Sequence, residues 1–210
     1  MDAPQRRLRT RTRRAPVPTA VGTRRHPARV AGWLRSAPDW RTRVEAARAL
    51  RPLSPSDRSR DALVSALNDD HPLVSRTAAE TLAELNWSSD RIAAVGAWLD
   101  AHPNEWRVAA PLLRGLARND RPRRVLATVA RWRAEQSPGA YAAVLPALAP
   151  LDAPRADSLL ADDLRSDDVQ VAAAAVQTLA ARWERTHPEG ADVTFRRLSA
   201  ALRRGEVALL

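Results

Sequence analysis

The sequence of 210 residues contains no cysteine, no lysine and only seven glycines. Without cysteine there can be no disulfide framework and no thiolate metal site. Without lysine, arginine carries all of the strongly basic charge. The glycines are scattered along the chain and form no phosphate-binding loop. These absences exclude the disulfide-stabilised, cysteine–zinc and P-loop classes of protein.

Long apolar runs are also missing from the sequence. No stretch approaches the roughly 18 uncharged apolar residues of a transmembrane helix. The arginines near the N-terminus are not followed by the apolar segment of a secretory signal. We therefore expect no membrane span, no secretory signal and a cytoplasmic protein.

Charge is distributed unevenly along the chain, whose net charge is +10. Residues 1–55 carry +11, from 14 arginines against three acidic residues, and the rest carries −1, from 20 arginines against 21 acidic residues. Residues 1–26 show no periodic apolar face and predict a disordered basic arm. Such an arm binds polyanions through counterion release, and the alternative is a solvated tail without a dedicated partner. The candidate binding residues of the arm are Arg6, Arg7, Arg9, Arg11, Arg13 and Arg14.

From residue 27 onward, helix signals follow one another with little interruption. All four histidines precede a proline, a dipeptide that ends one helix and opens the next. First helices of successive pairs begin near 27, 57, 89, 121, 155 and 191, so the sequence predicts stacked helix pairs in an all-α fold. The predicted helices are 27–36, 39–51, 57–68, 72–86, 89–101, 104–118, 121–135, 139–149, 155–165, 168–185 and 191–204.

Two helices carry features that bear on packing. In residues 168–185 the predicted buried stripe is Val169, Ala172, Val176, Leu179 and Trp183. Proline occurs within two other predicted helices, at Pro111 and Pro146. Each proline either kinks its helix or marks a helix that begins late.

Residues 63–85, LVSALNDDHPLVSRTAAETLAEL, are the clearest copy of a recurring motif. The motif is a leucine-rich helix, an acidic turn with proline, and a second helix with valine, arginine and paired alanines. It resembles HEAT repeats, over roughly residues 27–205. The resemblance implies a right-handed α-solenoid of about five helix pairs plus a terminal half-repeat, in a domain of residues 27–210. It also implies that the second helices line the concave surface.

The motif arginines Arg41, Arg76 and Arg107 have a structural interpretation from the same resemblance. In HEAT-like proteins this position pairs with an aspartate of the preceding turn, here Asp69 or Asp70 for Arg76. The sequence has seven tryptophans. Similar places around the turns within helix pairs are occupied by Trp33 and Trp40, by Trp98 and Trp106, and by Trp132 with Tyr141, which favours packing between repeats. The alternative for the tryptophans is stacking on exposed bases or on a partner's aromatic groups.

A second candidate binding site is an arginine cluster at residues 114–133, in which Asp120 is the only acidic residue. If these arginines share one outward stripe, they form an anion-binding surface. If they pair with acids of neighbouring repeats, such as Glu135 or Asp152, they are structural. The candidate binding residues of this cluster are Arg114, Arg118, Arg121, Arg124 and Arg131.

No catalytic, cofactor or metal motif is present in the sequence. The acidic pairs Asp162–Asp163 and Asp167–Asp168 are predicted helix caps rather than cation ligands. A DNA glycosylase-like enzyme would need an acid grouped with tryptophans, but the nearest candidates, Trp98 and Asp100, lie on opposite sides of a helix. The sequence therefore favours a non-enzymatic scaffold with a protein partner, and the alternative is a nucleic-acid-binding module that uses the arm.

Overall fold

The computed structural model describes residues 27–53, 56–119 and 121–186. These ranges contain ten α-helices, two short 3-10 helices and no strand. The α-helices are α1 (Pro27–Ser36), α2 (Trp40–Ala49), α3 (Asp57–Ser65), α4 (Pro72–Ala83), α5 (Ser89–Ala101), α6 (Trp106–Arg118), α7 (Pro122–Glu135), α8 (Pro138–Val144), α9 (Pro154–Asp163) and α10 (Val169–Thr186). The 3-10 segments Ala66–Asn68 and Leu145–Leu148 extend α3 and α8.

The predicted all-α solenoid of helix pairs is confirmed. Ten of the predicted helices have counterparts, which form the five pairs α1–α2, α3–α4, α5–α6, α7–α8 and α9–α10. The basic arm at 1–26 and the half-repeat helix at 191–204 lie outside the described residues. None of the helices in the described ranges has the length and apolar run that a membrane crossing requires.

Proline and short polar side chains begin most of the helices. Proline is the first residue of α1, α4, α7, α8 and α9, where its missing N–H removes no hydrogen bond. The caps of α2, α3 and α8 are Asp39, Ser56 and Ser137, whose side chains each accept a backbone N–H of the first turn. His71 caps α4, since its Nδ1 accepts the N–H of Leu73 at 3.3 Å. The helix boundaries are thus set locally.

The helices form two layers with unequal spacing. The second helices of the pairs, α2, α4, α6, α8 and α10, pack closely in succession. Among the first helices, only α1 and α3 pack in this way, while α3, α5, α7 and α9 approach one another at isolated points. A stack that is closer on one side curves toward that side. The second-helix layer therefore lies on the inside of the curve.

Alanine at the contact positions permits the close spacing of the second helices. Ala47 of α2, Ala78 and Ala79 of α4, Ala109 of α6 and Ala175 of α10 have no exposed surface. Leucine supplies most of the remaining buried volume, and the core runs continuously through the stack. Because an interior at protein density leaves little free volume, larger residues at these alanines would push the helices apart.

Trp87 connects the second and third pairs from the turn between α4 and α5. Its indole Nε1 donates to the carbonyl of Leu82 at 2.8 Å, and its backbone N–H donates to Oδ1 of Asn119 at 2.9 Å. The indole lies against Gly115 of α6, where a Cβ would come within 2.4 Å of the ring. Glycine is therefore required at position 115 to leave room for the Trp87 ring.

We predict that Gly115→Ala destabilises the protein. The added methyl would meet the Trp87 ring and, at 3.0 Å, the Cα of Ala83, and overpacking of this kind costs about 1–3 kcal/mol. The control is Gly32→Ala in α1, where nothing lies within 4 Å of the added Cβ. That change should leave the free energy of unfolding unchanged or raise it by up to about 1 kcal/mol. Urea unfolding followed by circular dichroism measures both; equal effects would contradict the close approach.

Arg43, and not Arg76, makes the ion pair that was expected in the acidic turn. Arg43 donates from Nε and Nη2 to the two carboxylate oxygens of Asp69, at 2.7 and 2.8 Å, and from Nη2 to Asp70 at 2.9 Å. Its Nη1 also donates to the carbonyl of Ala37 at 3.0 Å. Arg76 instead pairs with Glu80 on its own helix. The prediction for Arg76 is wrong because Arg76 faces solvent on α4, whereas α2 directs Arg43 at the next turn.

The Arg43–Asp69 pair is largely withdrawn from solvent, with 14% and 10% of the two side chains exposed. Desolvation alone would raise the pKa of Asp69. The hydrogen bonds from Arg43 and from the His71 N–H outweigh it, so the pKa of Asp69 lies below its usual value. A lowered carboxyl pKa stabilises the fold above the unfolded pKa of roughly 4, and this contribution is lost as the pH falls through the folded pKa.

We predict that Arg43→Ala lowers the free energy of unfolding by about 2–3 kcal/mol at pH 7, because it leaves a buried carboxylate without its partner. The loss should shrink at acidic pH, as the pH falls through the folded pKa of Asp69. Arg76→Ala removes only an exposed pair and should cost at most about 0.5 kcal/mol. Urea unfolding at pH 7 and at acidic pH tests this, and equal costs for the two variants would contradict it.

Two further expectations need correction. On α10, Val169 and Trp183 at the two ends of the predicted stripe are 71% and 43% exposed, whereas its Ala172 is buried and its Leu179 packs against the core. The other buried residues of α10 are Val171, Ala175, Thr178 and Ala180. The stripe was misplaced because the alanines at 172–175 make several helix faces equally apolar.

The two prolines within helices also differ from one another. Pro111 lies inside α6, which begins five residues earlier, and Pro146 lies in the 3-10 segment that ends α8. Neither helix begins at its proline, so the late-start alternative is wrong. The equivalence of the two sites is wrong as well, because the α-helix continues past Pro111 but ends before Pro146.

Candidate functional site

The exposed face of α6 carries a row of arginines. Arg107, Arg114 and Arg118 are spaced i, i+7 and i+11, which places them on one side of the helix. Their helix, WRVAAPLLRGLAR, contains no acidic residue. We call these three residues the α6 arginine row. It lies in the middle of the second-helix layer, between α4 and α8.

Arg114 is the central member of this row, and its surroundings are unusual. The side chain is half-buried, yet among the described residues it makes no hydrogen bond and no ion pair. Burial lowers the pKa of its guanidinium, and the like charges of Arg118 and Arg76 add to this effect, while Glu80 opposes it. A cation in such a place gains from any anion that can reach it.

The other two members of the row are positioned by local contacts. The Arg107 guanidinium lies over the ring of Trp106, 4.4 Å from its centroid. Arg118 donates from Nη1 to the carbonyl of Ala83 at 3.3 Å, which ties it to α4. Neither forms an ion pair within the described residues, so both keep their full charge for a ligand.

Arginines on the neighbouring second helices are paired with glutamates. Arg48 binds Glu45 at 2.8 Å, Arg76 binds Glu80 at 2.8 Å, and Arg51 binds Glu84 at 3.1 Å. Each pair is exposed and contributes little to stability. These pairs leave α4, the neighbour of α6, nearly neutral, whereas α2 also presents the exposed Arg41, 3.9 Å from Asp39. In the middle of the second-helix layer, the unpaired positive charge of the described residues therefore lies on α6.

The predicted cluster at 114–133 is divided between the two layers. Arg114 and Arg118 lie on α6, whereas Arg124 and Arg131 lie on α7 and both approach Asp100 of α5, at 2.5 and 3.7 Å. Arg121 is exposed at the start of α7. In the described part of the chain, Arg124 and Arg131 thus pair with Asp100 and not with the expected Glu135 or Asp152. The six predicted residues of the arm, Arg6 to Arg14, lie outside the described residues.

Sequence reasoning missed the role of Arg107, which it assigned to a structural pair. The absence of any acidic residue from 106–118 was the available signal, since a motif arginine without a nearby acid in its own helix stays unpaired. That Arg124 and Arg131 would meet Asp100 could not be read from the sequence, because the contact depends on how α5 and α7 are placed relative to each other.

Tryptophans in the described residues mainly pack within the stack. Trp87, Trp98 and Trp132 are buried, and Trp98 donates from Nε1 to Oδ1 of Asn68 in the preceding pair at 2.8 Å. Two of the turn histidines cover tryptophan faces: the rings of His71 and Trp40 stack at 4.0 Å, and those of His102 and Trp98 at 4.3 Å. These faces are therefore already occupied.

Arginine bridges the widely spaced first helices. A groove of about 600 Å³ lies between α3 and α5. At its side the buried Arg91 of α5 donates to Asp57 and Asp61 of α3, at 3.1 and 3.3 Å, and to Oγ of Ser88 at 3.0 Å. The acids of this groove are thus already neutralised in part, and the bridge holds two successive pairs together.

A buried pair of Tyr141 and Asp163, with the exposed Arg133 beside it, was not expected from the sequence. Tyr141 of α8 donates its hydroxyl to Oδ2 of Asp163 at 2.6 Å, and Arg133 of α7 lies 3.2 Å from Oδ1 of the same carboxylate. Asp163 was predicted to cap a helix; only Asp168 does so, by accepting the N–H groups of Gln170 and Val171. Desolvation raises the pKa of Asp163, and the pKa of Tyr141 is raised by burial and then by its hydrogen bond to Asp163.

The raised pKa of Asp163 gives a prediction of pH dependence. Because the unfolded state releases this proton first, the free energy of unfolding should fall as the pH rises from about 4 through the folded pKa of Asp163. Asp163→Asn removes the ionisable group, so the stability of this variant relative to the native protein should increase between about pH 4 and pH 7. Asp162→Asn leaves Asp163 ionisable, so its stability relative to the native protein should change less over this range. Chemical unfolding across this range tests it; parallel curves for all three proteins would contradict it.

The repeat geometry and the match to known families agree. A family model for HEAT repeats matches residues 29–110, from α1 into α6. This part of the chain is similar to HEAT repeats. Beyond residue 110 the helix pairs continue in the same two-layer arrangement through α10. The comparison with curated proteins found no match to this chain. No group of three or more metal-ligating side chains comes together within the described ranges.

Proposed function

We propose that this helical-repeat protein is a non-enzymatic, cytoplasmic scaffold that holds a protein partner along the exposed face of its second helices. The observation that carries the proposal is the α6 arginine row. It places unpaired positive charge at the centre of a continuous layer whose neighbouring arginines are paired with glutamates. Solenoids present extended surfaces of this kind to their partners.

The polar groups of the described residues support binding rather than catalysis. Tyr141 and Asp163 are buried against each other. Asp100, the acid considered for a glycosylase-like site, lies within ion-pair distance of two arginines. Trp98 is only 7% exposed and has His102 stacked on its ring. An acid with an open aromatic face, which base excision would need, is therefore not formed by these residues.

Nucleic-acid binding is the second candidate, and the arginines at 6–14 are the feature that favours it. The remainder of the chain from residue 56 is close to neutral. A nucleic-acid surface on the solenoid would need several unpaired cations in succession, but Arg124 and Arg131 share Asp100. The two candidates therefore use different parts of the molecule.

Affinity capture with the full chain separates these candidates. We expect the captured material to be protein and to stay bound after nuclease treatment. Deletion of residues 1–25 removes eight arginines and one aspartate, so it should weaken and flatten any salt-dependent binding of nucleic acid. It should leave the protein partner bound. Loss of all captured material on nuclease treatment would overturn the scaffold proposal in favour of a nucleic-acid-binding module.

A further inference from the structure

We propose that the α6 arginine row receives the carboxylates of an acidic segment of the partner protein, with Arg114 as the central contact. This inference rests on the proposed scaffold function and specifies the chemistry of the partner. The row requires at least two acidic side chains on the partner, close enough together to face neighbouring arginines of one helix.

The spacing of the row defines which acids can be bound together. At 1.5 Å rise per residue, Arg114 lies about 6 Å along the helix from Arg118 and about 10 Å from Arg107. Alternate residues of an extended segment are roughly 7 Å apart, and long arginine side chains can adjust to that difference. Acidic residues at alternate positions would therefore face Arg114 and Arg118 at the same time.

Arg114 is suited to be the central contact because it is already partly desolvated. A half-buried guanidinium with no hydrogen bond in the described structure has lost water without gaining a partner. A carboxylate can accept two parallel N–H groups from this planar group, which is the strongest form of charge-assisted hydrogen bond. A bound anion supplies the hydrogen bonds that water made to the guanidinium before folding, so the contact favours the complex over the free protein.

The surface beside the row favours a protein segment over a nucleic acid. On α8, which packs against α6, the partly exposed residues are small and apolar, namely Ala142, Ala143 and Pro146. No uncovered aromatic ring lies beside the row among the described residues, since Arg107 covers Trp106, so bases have no stacking platform there. Apolar side chains that alternate with acids fit the alanine and proline surface.

Fluorescence anisotropy of the full chain with a labelled peptide tests the inference. The probe is a peptide of about ten alternating glutamate and alanine residues, which spans roughly 33 Å when extended. Controls are the matching glutamine–alanine peptide and an oligothymidylate of equal charge. Arg114→Gln should weaken acidic-peptide binding about ten-fold or more, the usual effect of losing a charge-assisted hydrogen bond.

The matched control variant is Arg123→Gln. Arg123 is exposed on α7 in the first-helix layer, so its replacement changes the net charge equally at the other face. Any contribution of the basic arm is the same in both variants. Neither change should lower the unfolding temperature, because neither guanidinium has a hydrogen bond or ion pair in the described structure. Equal peptide affinity of the two variants would overturn the inference.

A second measurement uses the absence of lysine from this chain. Arg114→Lys introduces a single side-chain amine into the row, and Arg123→Lys introduces one on the other layer. A carbodiimide joins an amine to a carboxylate in direct contact, so the labelled acidic peptide should couple several-fold more to the Arg114→Lys protein than to the native chain or to Arg123→Lys. Coupling that is equal in the two variants would place the acidic peptide elsewhere.

The outcomes separate this inference from the scaffold proposal. If Arg114→Gln weakens oligothymidylate binding and leaves the acidic peptide unaffected, the row is a nucleic-acid contact and the inference fails. If a nuclease-resistant protein partner is captured but neither the peptide nor that partner depends on Arg114, the scaffold role stands and the inference fails. Loss of the captured partner on nuclease treatment overturns the scaffold role, whatever the peptide result.

Discussion

Close packing of the second helices is the constraint on which the rest of this structure depends. Alanines with no exposed surface on α2, α4, α6 and α10 allow successive backbones to approach. The first helices are more widely spaced, so the stack curves and the second-helix layer lies inside. Every feature with a bearing on function follows from this difference. The inner layer offers a continuous surface, and the outer layer has grooves that require bridges.

Arginine serves opposite purposes in the two layers. In the outer layer, Arg91 reaches Asp57 and Asp61 across the groove between α3 and α5, and Arg124 reaches Asp100 between α5 and α7. These contacts compensate for the sparse packing of the first helices. On the inner face, α6 has three arginines and no acid, so no acidic residue of its own helix neutralises their charge. A net charge near zero from residue 56 onward therefore conceals one local concentration of positive charge.

The turns within helix pairs carry a second type of bridge. Arg43 joins the turn of the first pair to that of the second, through the carbonyl of Ala37 and the carboxylate of Asp69. Farther along the stack, Tyr141 and Arg133 of the fourth pair meet Asp163 of the fifth. In both places a buried carboxylate is satisfied by a neighbouring repeat. Such contacts fix the relative placement of pairs, which hydrophobic burial alone specifies less sharply.

The sequence by itself determined the helices, because proline, capping residues and apolar periodicity act within a few residues of one another. The positions of α1 to α9 follow from these local signals, and the α-helical motif at 63–85 led to the repeat family.

What the sequence left undecided was the direction of individual side chains. The alanines at 172–175 gave no preferred face to α10, and several arginines had more than one acid within reach. Only the packing of one pair against the next decided that Arg43 would bind Asp69, that Arg124 would bind Asp100, and that Arg114 would stay without a partner in the described structure. These choices depend on distances between helices that are far apart in the chain, and no local pattern encodes them.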